Sequence, residues 1–356
     1  MSTGLRIALI ASARFPVREP FAGGLEAHIW ALARTLTARG HRVGLFAAPG
    51  SDPTLDLHEL PVHRPKLSAA ARADVSMPDP EWMAEHHAYL RLMLDLSENG
   101  RRRFDVVHNN SLHYLPIAMA SALPLPVVTT LHTPPTAWLE SAIQTRRDCP
   151  VTFTAVSAHT ARAWRPTVPA ARVVRNGVDM RTWSQGPGGT YLVWSGRLVP
   201  EKGPHLAAEA ARKARIPLRL AGPVGDPRYF TEYVEPLLGD GVDYVGHLDR
   251  RSLADLVGAA RAALVTPCWD EPYGLVVAEA LACGTPVGGF DRGALREILT
   301  PECGRLAPPG DAAALADLIP EIARLDRRAA RDRAERFCSL QVMANQYSAL
   351  YEELTT

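Results

Sequence analysis

The sequence predicts an α/β protein of two domains with parallel sheets. Three observations carry that expectation. The chain has 356 residues, enough for two domains of ordinary size. Its opening reads strand, helix, strand: apolar runs at 5–11 and 42–47 flank a segment, 25–37, whose Ile29, Leu32, Ala33 and Leu36 recur at helical spacing, with Gly40 closing it. Such a βαβ unit calls for a parallel strand pair. The stretch Gln185-Gly-Pro-Gly-Gly189 then reads as a linker, and a strand at 191–195 starts the pattern again. The expected boundaries are 1–184 and 185–338.

Composition narrows the function classes. Apolar residues make up 47% and charged residues 22%, as in a soluble globular protein. No run approaches the roughly 20 apolar residues of a membrane span. The run 5–11 is too short and too weakly flanked for a signal peptide. Five scattered cysteines (149, 268, 283, 303, 338) without Cys-x-x-Cys spacing argue against a disulfide framework or a zinc site, and fit a reducing cytoplasm. A formal charge of +1 implies no bulk attraction to nucleic acid, and membrane contact stays open. Of 39 basic residues only Lys66, Lys202 and Lys213 are lysines. A lysine kept in so arginine-rich a chain suits a compact point charge.

In the first domain, Phe21-Ala-Gly-Gly-Leu-Glu26 joins the first strand to its helix. Gly23 and Gly24 let the backbone approach a ligand at the helix N-terminus. The segment is not the Gly-x-Gly-x-x-Gly fingerprint, which argues against a nicotinamide enzyme. Residues 49–80 hold six prolines and no period, so a long irregular connection is expected. A helix follows at 81–96, and Arg101-Arg-Arg103 reads as solvated loop charge. Strands at 104–108 and 127–131 end in Asn109-Asn110 and His132-Thr-Pro-Pro135. Ligands of open α/β sheets bind at such carboxyl edges, which makes Asn109 and His132 candidates for a ligand contact. Strands are expected at 153–156 and 172–175. Asn176-Gly177 reads as a turn.

In the second domain, the strand 191–195 runs into Gly196-Arg-Leu-Val-Pro-Glu-Lys-Gly203, and Pro204 suits the first position of a helix. Arg197 and Lys202 beside a helix N-terminus fit a diphosphate, one as a fork and one as a point charge. Strands at 218–221 and 243–245 end in Gly222-Pro223 and Gly246-His-Leu248, where backbone groups can hold a base. After a strand at 262–265, Glu271 lies in a loop. Gly274 opens a helix, Gly284 closes it, and Pro286 stops it. Glu279 lies inside that helix. Free amides at a helix start suit a phosphate. Two carboxylates beside it suit hydroxyls, because an ionised carboxylate accepts from both arms of a diol. Phosphate plus diols indicates a sugar nucleotide. Helices are expected at 312–324, 329–337 and 341–354.

Glu271-x7-Glu279 with its tail Ala280-Leu-Ala-Cys-Gly-Thr-Pro-Val287, together with Ser195-Gly-Arg-x3-Glu-Lys-Gly203, resembles the retaining glycosyltransferases of the GT-B fold, glycosyltransferase family four. The resemblance covers nearly the whole chain. It implies two Rossmann-like domains facing each other across a cleft, with a C-terminal helix, 339–356, returning to the first. It implies a nucleotide diphosphate sugar as donor and an acceptor hydroxyl on an unidentified small molecule, saccharide or lipid. Arg197 and Lys202 would hold the diphosphate with Tyr273, Gly274, Leu275 and Val276, while Gly23 and Gly24 approach from the first domain. Gly246 and Leu248 would lie near the base and Glu279 at the ribose. Glu271 and His132 would meet the transferred sugar, and Asn109 would be a weaker sugar or acceptor contact. Arg197, Lys202, Glu271 and His132 are the catalytic candidates. No Asp-x-Asp motif occurs, so neither metal nor cofactor is expected. Arg292 stands where relatives carry the first glycine of Gly-Gly-x-x-Glu, which brings close backbone packing there into question. No nucleophile stands out. A GT-B epimerase or phosphorylase, a non-catalytic nucleotide-sugar-binding subunit and a glycoside hydrolase using the Glu pair remain as rivals.

Overall fold

In a computed structural model, residues 4–76, 79–145 and 149–356 are described. Met77 and Pro78, within the 49–80 connection, lie outside that set. The first sheet has seven strands: β1 (Arg6–Ile10), β2 (Arg42–Ala47), β3 (Asp56–Glu59), β4 (Val106–Asn109), β5 (Val127–Leu131), β6 (Val151–Ala155) and β7 (Arg172–Val173). Their order is β3-β2-β1-β4-β5-β6-β7, with every pairing parallel. The second sheet holds β8 (Leu192–Ser195), β9 (Leu218–Ala221), β10 (Val242–Tyr244), β11 (Ala262–Val265), β12 (Val287–Phe290) and β13 (Gly304–Ala307), in the order β10-β9-β8-β11-β12-β13, again all parallel. β1, β4 and β5 are almost wholly buried because helices cover both faces, so their sequences show no in-out alternation of apolar and polar residues.

Each order reverses direction once, between β1 and β4 in the first sheet and between β8 and β11 in the second. At such a switch point the loops leave to opposite faces and open a crevice. The Gly23-Gly24 loop follows β1, the Arg197–Lys202 loop follows β8, and the Glu271 loop follows β11. Strand order thus brings together three loops that the chain holds far apart.

The closing helix, Leu340–Thr355, packs in the first domain, burying Met343, Tyr347 and Tyr351 against Ile29, Leu32 and Val128. Its tyrosines are tied below the sheet: Tyr351 OH shares a 2.6 Å bond with His108 Nδ1, and Tyr347 OH lies 3.0 Å from Thr130 Oγ1. Gly177 answers to this crossing. A Cβ there would stand 2.7 Å from Leu340 Cα, and Leu340 N donates to Val178 O. The turn expected at Asn176-Gly177 is absent, and glycine serves the close approach of two chain segments instead.

Other expectations need correction. The helix expected at 81–96 runs Pro80–Arg103, so Arg101, Arg102 and Arg103 are its last turn, where cations offset the helix dipole. Arg103 also meets Asp95 at 2.6 Å. The 49–80 connection carries edge strand β3 and a short helix, Ala69–Arg72. Strand β13 went unforeseen, since four residues closed by Pro308 give too short a pattern to read.

Candidate active site

The cleft between the domains holds a cavity of about 420 Å³, within the range of small-molecule sites. From the second domain, β8 leads into Arg197 and a single tight turn, Pro200–Lys202. Gly203 follows with φ +61°, and a Cβ there would lie 2.2 Å from Thr266 O. The turn is therefore pressed against the end of β11, and only glycine fits. Lys202 Nζ reaches Glu271 Oε2 at 2.5 Å, and the Trp269 indole N–H donates to the same oxygen at 3.0 Å. The Arg197 guanidinium is half exposed and lies 3.8 Å from Glu201.

Glu271 is held by its backbone as well. Ala294 N donates to Glu271 O at 2.8 Å, and a Cβ on Gly293 would fall 2.1 Å from that oxygen. Close packing thus occurs at Gly293, the residue after Arg292, and Arg292 turns its side chain to Cys268 O. Gly274, at φ +96°, caps the helix Leu275–Ala282. Val277 makes the first intrahelical bond, to Gly274 O, so the Leu275 and Val276 amides precede the hydrogen-bonded run and stand at the cleft. One turn in, burial raises the Glu279 carboxyl to about 7, opposed by the nearby Arg250 charge.

That shift has a stability consequence with a definite sign. Between the ordinary carboxyl value and about 7 the folded protein holds a proton that the unfolded chain has released. Stability attributable to Glu279 therefore falls as pH rises from about 4.5 to about 7, and is flat above. Glu279→Gln, which keeps the volume and removes the charge, is expected to match the parent near pH 5 and exceed it at pH 8 by roughly 2–3 kcal/mol. Thermal melts of both proteins across that range check this, and equal melting temperatures at pH 8 would refute it.

From the first domain, the helix Gly24–Ala38 starts at the same cleft. A Cβ on Gly24 would meet Leu275 Cδ1 at 3.0 Å, so the two helix N-termini, one from each domain, face each other. His132 lines the cleft. With Asn110 Oδ1 accepting at 2.9 Å its proton sits on Nε2, and burial beside His28 and His108 keeps the ring neutral.

The described site also departs from several sequence expectations. Asn109 is fully buried in β4, bonded to Thr129 and Ser111, and does not line the cleft; its neighbour Asn110 is the residue that meets His132. Tyr273 lines the cleft while its side chain is packed in the second-domain core. Leu248 lines the cleft as expected, joined by His247, while the Gly246 carbonyl ties down Gly222 N.

Three residues were not anticipated. Glu26, only 6% exposed, lines the cleft from the first turn of the Gly24–Ala38 helix; burial raises its carboxyl, and the Arg197 charge opposes this. Its signal was present, an acid just inside a glycine-opened helix. Arg250 crosses from the second domain to Glu19 at 3.2 Å and stacks over Trp30 at 4.8 Å. Glu297 accepts from Ala158 N and His159 N at the start of the helix Ala158–Trp164, while Ser157 Oγ donates to Pro272 O at 2.6 Å. No local pattern announces these cross-domain contacts.

The sequence model of Glycosyltransferase Family 4 matches residues 22–182, and that of Glycosyl transferases group 1 matches residues 181–336. The chain is 28% identical to a glycogen synthase of Mycobacterium tuberculosis, over 92% of this chain and 91% of that protein. It is 27% identical to a phosphatidyl-myo-inositol mannosyltransferase of Mycobacterium leprae, over 99% and 98%. Among solved structures, Anabaena HepE in complex with UDP and glucose superposes with a TM-score of 0.76 at 18% identity, covering 98% of this chain and 100% of that one.

Proposed function

From the premise that the chain belongs to the family-four glycosyltransferases of GT-B fold, we propose that it moves a hexose-like sugar from a nucleoside diphosphate to an acceptor hydroxyl, with retention at the anomeric carbon. One observation carries this reading. At the second-domain switch point, Arg197, Lys202 and the Leu275 and Val276 amides converge on one volume, with Glu279 behind it and Glu271 beside it. That set matches a diphosphate flanked by a ribose and a sugar. Anabaena HepE, named above, was solved with UDP and glucose, which supports the same ligand class.

The chain's own groups supply each task. Arg197, Lys202 and the helix amides would stabilise charge building on the leaving diphosphate, aimed before the reaction starts. Glu279 would accept from the ribose diol. Glu271, positioned by Gly293 and Lys202, would accept from hydroxyls of the transferred sugar and favour positive charge on its ring. Neutral His132, its Nε2 proton committed to Asn110, offers Nδ1 as an acceptor. Glu271 already accepts from Lys202 and Trp269, which makes it a poor nucleophile. Reaction on one face, with the departing diphosphate taking the acceptor's proton, needs none.

These cations can do the work of a bound metal at the diphosphate. Titration calorimetry of UDP, GDP, ADP and TDP in excess EDTA is expected to show one of them binding well above its nucleoside, and sugar transfer from the matching donor should survive EDTA. Binding no better than the nucleoside would sink the donor assignment. Activity lost in EDTA and restored by magnesium or manganese would sink the metal-free one.

A further inference from the structure

A column of near-parallel rings stands on the first domain beside the cleft. It starts at Tyr89, which is 1% exposed and whose hydroxyl donates to Ala11 O and accepts from Ala13 N, both at 3.0 Å. His113 stacks on Tyr89 at 4.2 Å, Tyr114 on His113 at 4.8 Å, and Trp138 on Tyr114 at 5.1 Å. Trp82 lies 5.7 Å from Trp138 and stacks on His86, whose Nδ1 shares a 2.8 Å bond with Tyr114 OH. The outer end is open: Trp138 is 54% exposed. Trp82 and Tyr114 beside it are partly exposed, so aromatic surface gathers at this end and does not stand as a lone side chain.

The chemistry of the column selects its occupant. The rings are interleaved with histidines and a tyrosine, not with aliphatic side chains. Burial keeps His86 and His113 neutral at physiological pH, the latter pushed down to about 4. The surface therefore offers flat apolar faces with neutral hydrogen-bonding edges. A pyranose, with an apolar face of C–H bonds and a rim of hydroxyls, is the complement of such a surface. Among the described residues beside the column, Arg14 pairs with Glu85 at 3.4 Å and Arg64 with Glu81 at 2.5 Å, which offsets the pull these two arginines would exert on an anionic lipid surface. The column is also continuous with the cleft. Leu112 and Thr133 line the cavity, and the same two strand-end segments continue into His113-Tyr114 and Trp138.

We propose that Trp82 and Trp138, with Tyr114 supporting Trp138 from beneath, form a stacking platform for a sugar unit of the acceptor that lies outside the cleft, so that the acceptor is a saccharide longer than one unit. This rests on the first domain being the acceptor side of the transferase reading above.

The test uses the full chain without nucleotide. Tryptophan fluorescence is followed while gluco- and manno-oligosaccharides of increasing length are added, for the parent, Trp82→Ala, Trp138→Ala and the double variant. A saturable change that strengthens with length is expected. Each single variant should bind roughly three- to ten-fold more weakly, as expected for one lost ring stack, and the double variant should lose the response. Nucleoside diphosphate binding should be unchanged in all four, which also shows that they are folded. The platform is overturned if no oligosaccharide gives a saturable change, if the response survives in the double variant, or if phosphatidylglycerol vesicles alone produce it. Failure of the parent to bind any nucleoside diphosphate would sink the donor assignment while leaving the oligosaccharide result to stand by itself.

Discussion

Replacing Glu271 by alanine is expected to cut sugar transfer by about 10²–10³-fold while leaving nucleoside diphosphate binding intact or somewhat tighter. The two halves of this expectation have different causes. Turnover falls because the carboxylate would meet hydroxyls of the transferred sugar, and such a contact strengthens as positive charge develops on the ring. Binding is spared because the carboxylate's present partner is Lys202, at 2.5 Å. The pair is satisfied internally, and an incoming diphosphate must share or displace it. Removing the carboxylate releases the lysine for phosphate. Glu279→Ala should behave in the opposite way, weakening free nucleotide and donor alike, because Glu279 lies behind the Leu275 and Val276 amides where a ribose would follow the phosphates. Nucleotide affinity measured beside turnover for both folded variants separates the roles. If Glu271→Ala loses nucleotide and Glu279→Ala keeps it, the sugar has been placed at the wrong carboxylate.

Lys202→Ala is expected to weaken nucleoside diphosphate binding roughly ten- to hundred-fold and to leave the bare nucleoside unaffected, since a charge-assisted bond is worth about 1.5–3 kcal/mol. The structure adds an unfavourable contribution that the sequence did not contain. Without Lys202, Glu271 faces the arriving phosphate with the Trp269 indole as its side-chain donor, and an uncompensated carboxylate repels an anion. Part of the loss therefore comes from Glu271 and not from the missing contact. The Glu271→Ala/Lys202→Ala double variant should recover that part, and the difference between cycles gives its size. Equal weakening of diphosphate and nucleoside by Lys202→Ala would show that the lysine does not touch phosphate.

Both Glu271 and Lys202 depend on backbone positions that carry no chemistry of their own. Gly203 is pressed on Thr266 O and Gly293 on Glu271 O, each at a positive φ. Arg292 marks the departure in the sequence, but the close approach falls one residue later, at Gly293. The reason is geometric. A glycine's need is visible only when the opposing backbone is known, and here the opposing residue lies in a loop from another strand.

What the sequence determined by itself is contiguous. The alternation of strand and helix, the Arg197–Lys202 loop opening onto Pro204, and the Gly274-capped helix with Glu279 inside it each lie within about twenty residues and follow from local backbone preference. These segments were enough to indicate a sugar nucleotide. What the tertiary structure decided is everything that depends on strand order and on side-chain phase. Lys202 and Glu271 are 69 residues apart and meet because β8 and β11 are neighbours. Glu26, Arg250 and Glu297 matter because one domain faces the other, which no local pattern encodes. Asn109 and Asn110 differ by one residue at the end of a four-residue strand, and successive side chains leave a strand on opposite sides. The sequence placed an asparagine at the edge of the site; only the packed sheet selected Asn110 to face His132 and buried Asn109 beneath it.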